Sequence, residues 1–80
     1  MENNIDKLNN IFVEVFGVEV SNLNDSFNKE SVDTWDSVHQ LNIISLMEEN
    51  FDLMLDPEDI MSCVSYVKAK EILRNNGVNI

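Results

Sequence analysis

An all-α domain is what this chain predicts, and three observations carry the prediction. Apolar residues recur at spacings of three and four along three separate stretches. Three helix starts are marked by capping residues, Asp36, Asp56 and Ser65. No stretch sustains the period-two alternation of a half-buried strand. Together these predict an antiparallel bundle of three main helices plus one short helix, with a long first loop, in a single domain spanning 1–80.

The first helix is expected over 3–16, where Ile5, Leu8, Phe12, Val15 and Phe16 form an apolar stripe with Ile11 on its flank. Glu2 and Asp6 lie near the positive end of its dipole, and Gly17 is a good stop. Residues 17–35 show no period. Turn formers such as Asn22, Asn24, Asp25 and Asn28 alternate there with Val18, Val20, Leu23 and Phe27. So long an irregular loop is plausible if those apolar residues pin it across the helices.

The second helix should start at Asp36 and Ser37 and reach about Asn50. Val38, Leu41, Ile44, Met47 and Phe51 recur along it, and Ile43 and Leu46 widen the band. Asp56-Pro57-Glu58 opens a short third helix carrying Ile60 and Met61, because proline suits the first helical position. Ser65 caps a fourth, in which Tyr66, Ala69 and Leu73 share a face and Val67 and Ile72 fit less well; Asn76-Gly77 ends it. The expected core is Phe12, Val15, Phe16, Phe27, Ile43, Met47, Phe51, Leu55, Ile60, Ala69 and Leu73.

Fifteen acidic residues against five basic ones leave a formal charge of −10. Nucleic acid and anionic membrane surfaces are therefore poor partners, and proteins with basic docking patches are good ones. No apolar run approaches the roughly 20 residues of a membrane span, and Met1-Glu2-Asn3-Asn4 lacks the basic stretch of a signal peptide. Cys63 is the single cysteine, which rules out an intrachain disulfide and fits a cytoplasmic, reducing setting.

Thr34-Trp35-Asp36-Ser37-Val38, followed by an apolar helix ending in Glu48-Glu49-Asn50-Phe51, resembles the acyl carrier protein family, whose hallmark is Asp-Ser-Leu at the head of the second helix. The resemblance extends through Phe16-Gly17, Phe27, the Glu48 and Phe51 spacing, Leu55 and the Tyr66, Ala69, Leu73 face. It implies a non-catalytic carrier, monomeric, on which a phosphopantetheinyl transferase attaches 4'-phosphopantetheine from coenzyme A to Ser37. Acyl cargo then rides as a thioester and is presented to loading and processing enzymes. A serine in the first helical turn is exposed, and the positive helix end favours a phosphodiester. Asp36 is expected to hold that turn and to mark the site.

Departures from the family pattern indicate which branch is expected. Thr34 stands where glycine is usual and Val38 where leucine is usual. The Trp-Asp-Ser form is similar to that of stand-alone carriers of specialised pathways, such as surface-polysaccharide, lipid or polyketide assembly. His39 and Asn42 occupy positions where fatty-acid carriers often have carboxylates. The resemblance implies a docking surface of Trp35, Val38, His39, Leu41, Asn42, Ser45, Glu48 and Glu49. Trp35 is equally expected to bury most of its ring. An aminoacyl or peptidyl carrier shares the same serine and arm, and an unmodified acidic helical adaptor is the alternative from another class.

Catalysis and metal binding find little support. Residues two apart on a helix point about 200° from each other, so His39 is not set to act as a base toward Ser37 and is expected to face solvent. Cys63 reads as a small core residue. Asp52, Asp56, Glu58 and Asp59 lack the ligand spacing of a calcium loop. Met47, Met54 and Met61 read as adaptable filling for a core that opens to cargo.

Overall fold

Asn3 caps the first helix by accepting the Asp6 N–H on its side chain at 2.9 Å, which satisfies one of the orphan donors of the first turn. A computed structural model describes residues 3–80. Glu2, expected beside this helix start, lies outside the described residues. Helix α1 runs Asn4–Phe16 and stops at Gly17, whose φ of 66° is left-handed and whose N–H returns to the Val13 carbonyl. Helices α2 (Ser37–Phe51), α3 (Pro57–Ser62) and α4 (Tyr66–Asn75) follow, each capped by the residue the sequence marks: Asp36, Asp56 and Ser65.

The described residues are thus all-helical, with four α-helices and one 3₁₀ turn at Val20–Asn22. Helix α2 goes one residue beyond the expected end, because Asp52 takes a left-handed conformation (φ 52°) and turns its N–H back to the Glu48 carbonyl. The α-carbon radius of gyration, 11.4 Å, matches the roughly 11.6 Å of a compact chain of this length. No described helix is long and apolar enough to cross a membrane.

The loop over 17–36 is pinned at two levels. Asn28 pairs with Ser65 as an isolated antiparallel bridge, in which Lys29 N–H donates to the Val64 carbonyl at 2.8 Å and Tyr66 N–H to that of Phe27 at 3.0 Å. The Asn28 side chain accepts from Glu30 and Ser31 N–H groups and fixes the turn that follows. Inside the protein, Phe27 and Trp35 lodge against α1: Phe12 lies 5.9 Å from Phe27, 6.0 Å from Trp35 and 5.4 Å from Tyr66, all edge-on.

The buried core is Leu8, Ile11 and Phe12 from α1, Phe27 and Trp35 from the loop, Ile43, Ile44 and Met47 from α2, Leu55, Cys63, and Tyr66, Ala69, Ile72 and Leu73 from α4. Four expected core residues, Val15, Phe16, Phe51 and Ile60, are only half-buried and flank it. Phe16 ends its helix at the protein edge, and Phe51 lies beneath the Lys7 ammonium, 5.9 Å from its ring centre. The α4 stripe is also wider than expected. Ile72 is buried beside Leu73, so the face that packs runs through both residues. Met54 and Met61, expected as filling, are 90% and 77% exposed, whereas Met47 is fully buried.

Candidate functional site at the head of α2

The head of α2 is built by one carboxylate. Asp36 adopts an extended conformation, and its Oδ1 accepts the His39 backbone N–H at 2.9 Å. The same oxygen meets His39 Nδ1 at 2.8 Å. The His39 N–H bond, then the His39 ring, holds the Asp36 carboxyl below its ordinary range. Ser37 follows as the first helical residue. It is exposed, and its hydroxyl makes no hydrogen bond among the described residues.

His39 does not face solvent freely, contrary to expectation. Its ring stacks on Phe16 with centres 5.4 Å apart and planes 14° from parallel, and its Nδ1 is committed to Asp36. It therefore fastens the head of α2 to the end of α1. It makes no bond to Ser37, as the helical angle between them requires.

Trp35 is 4% exposed and packs 4.9 Å from Phe16. That burial agrees with a plug closing the loop and removes its ring from any direct docking contact. Its Nε1 points to Gln40 Oε1 at 3.4 Å, a long hydrogen bond, and Gln40 Nε2 donates to the Ile60 carbonyl at 2.9 Å. Gln40 thus spans from the plug to α3. Nothing in the apolar periodicity singles it out, because its partners come from other elements.

Beside Ser37 lies an open groove of about 310 Å³ between α2 and α3, lined by Lys29, Ser37, Gln40, Leu41, Ile60 and Met61. Leu41 is 56% and Val38 64% exposed, so apolar surface surrounds the hydroxyl. Asn42 and Ser45 are exposed too, and they line a separate hollow with Glu14, Val15 and Leu46. Glu49 is exposed at the far end of α2. Glu48 is half-buried, and its Oε2 accepts the Leu55 N–H at 2.9 Å. One of its oxygens is therefore spent holding the turn after α2, which weakens it as a docking acid.

Other reactive groups are closed off. Cys63 is fully buried, and burial, aided by the nearby Asp59 charge, pushes its thiol up to about 12. No three potential metal ligands cluster among the described residues. Compared with protein-family models, curated proteins and solved structures, the chain matches none.

Proposed function

We propose that the chain is a carrier of the acyl carrier protein type, bearing a 4'-phosphopantetheine arm on Ser37 and catalysing no reaction itself. The reading rests on the Ser37 hydroxyl, which is exposed, unengaged and set on a capped first turn beside an apolar groove. First-turn N–H groups at a helix start suit a phosphodiester. The four helices are read as the bundle of that family, with α1 against α2 and the long loop crossing them.

In the attachment, the Ser37 hydroxyl gives up its proton and Oγ bonds to the phosphorus of coenzyme A that carries the pantetheine. The pyrophosphate P–O bond breaks and adenosine 3',5'-bisphosphate leaves. Once bound, the arm supplies a terminal thiol that holds a carboxylic cargo as a thioester. The chain's own residues position it. Asp36 and His39 fix the turn, Gln40 ties α2 to α3, and Leu41, Ile60 and Met61 offer apolar surface next to the attachment point.

Val38, Leu41, Asn42, Ser45 and Glu49 form the proposed docking face for a phosphopantetheinyl transferase and for loading and processing enzymes with basic patches. The proposed setting is a specialised lipid, polyketide or polysaccharide-related pathway. The decisive test incubates the protein with coenzyme A and a promiscuous phosphopantetheinyl transferase, beside Ser37→Ala, and weighs both intact. A gain of one arm in wild type only is expected. Unchanged mass in both would sink the carrier reading and leave an unmodified acidic adaptor.

A further inference from the structure

Of the five cations in this chain, four are occupied. Lys7 lies over Phe51, Lys70 lies 4.8 Å from the Tyr66 ring centre, Lys68 pairs with Glu71 at 3.2 Å, and Arg74 Nε donates to the Ile80 carbonyl at 2.9 Å. Lys29 is the exception: among the described residues its side chain makes no hydrogen bond, ion pair or ring contact. It also lines the groove that contains Ser37. Among the described residues, the one lysine or arginine side chain left uncommitted therefore borders the exposed hydroxyl read as the attachment site.

The backbone at Lys29 is held even though its side chain is exposed. Its N–H is bonded to the Val64 carbonyl, the Asn28–Ser65 bridge flanks it, and the Asn28 side chain fixes the turn beyond. A fixed α-carbon with a flexible four-carbon stem is an economical way to present a point charge to a phosphate. In an acidic protein such a charge has abundant carboxylates to choose from, yet no described carboxylate pairs with it.

Resting on the carrier reading, we infer that Lys29 is a positioning residue for the arm: its ammonium pairs with the phosphodiester on Ser37 and holds the proximal arm over the α2–α3 groove. The phosphodiester brings one negative charge to this rim, and the pair is exposed, so its strength is modest and sensitive to salt.

The experiment compares apo and armed forms of wild type, Lys29→Gln and Lys29→Glu, with arm attachment verified by intact mass. At about 10 mM salt, attachment should change the Tm of wild type more favourably than that of Lys29→Gln by about 2–4 °C. Lys29→Glu should fall below Lys29→Gln, and the differences should shrink near 1 M salt. In wild type, the Lys29 ε-methylene NMR signal should move on attachment while that of Lys68 stays. Equal Tm changes in all three proteins, with an unmoved Lys29 signal, would overturn the inference and leave the carrier reading intact. If the variants resist the transferase, the Lys29 signal in armed wild type decides alone. A wild type that takes no arm overturns both.

Discussion

Helix α2 presents two contrasting regions to its surroundings. On one face Ile43, Ile44 and Met47 are buried, meeting a core centred on Phe12, whose ring touches four other aromatic rings. At its head, Ser37, Val38 and Leu41 stand in solvent beside Met61, although three of these four are apolar. The first region derives its stability from interlocked rings. The second exposes apolar surface, Val38 at 64%, Leu41 at 56% and Met61 at 77%, on a chain of formal charge −10. Buried core residues and exposed apolar residues are thus separated across one helix.

The sharpest way to break that contrast is to truncate both sides. Phe12→Ala should cost about 3–5 kcal/mol by urea unfolding, because the site is fully buried and aromatic neighbours cannot close the cavity. Leu41→Ser should change stability by no more than about 0.5 kcal/mol. Comparable losses in the two variants would show that the groove edge is part of the core after all.

The part of this architecture legible in the sequence is the part made by neighbours in the chain. Asp36, Asp56 and Ser65 cap by bonds to the residue three places on, so their chemistry is visible in a short window. The periodicity of α2 likewise leads to Ile43 and Met47 in the expected core, though the stripe through Ile44 also runs through Val38 and Leu41, which are exposed. The exposed Ser37 follows from its position at the helix start. The groove is different. Lys29 is held at it from the loop by its N–H bond to the Val64 carbonyl, next to the Asn28–Ser65 bridge, and Gln40 is placed by Trp35 and Ile60. His39 is held against Phe16, on another helix. Each of these depends on pairs distant in sequence, which periodicity cannot pair. Ile72 was hidden for a simpler reason: a ten-residue helix with a wide buried arc accepts adjacent apolar residues.

A second prediction sharpens the contrast through pH. Cys63 is on the buried side, and its folded thiol, near 12, lies above the ordinary 9.0. A group raised by folding contributes stability that is complete below the unfolded value and lost as pH climbs toward the folded one. Wild type should therefore lose stability between pH 9 and 12 relative to Cys63→Ala, by up to roughly 4 kcal/mol. Tyr66, also raised by burial, acts in the same direction in both proteins, so the difference isolates Cys63. At pH 8 the native thiol should react with iodoacetamide about 1000-fold more slowly than in urea, reflecting its thiolate fraction.

The smallest effect belongs to the exposed side and concerns Asp36. Replacing it by alanine removes the acceptor for the His39 N–H and the partner of the His39 ring, so the urea midpoint should fall, by less than in either case above. Asp36→Asn retains a capping oxygen and should keep most of the midpoint. The acid limb separates charge from cap. The Asp36 carboxyl sits below 3.8 when folded, so its contribution is present above that value and is lost as pH falls through the lower folded one. The gap between wild type and Asp36→Asn should accordingly close in acid below about pH 4, while the gap between Asp36→Asn and Asp36→Ala persists. A gap that stayed open in acid would mean that the hydrogen bonds at the head of α2, and not the carboxylate charge, hold the turn on which Ser37 is displayed.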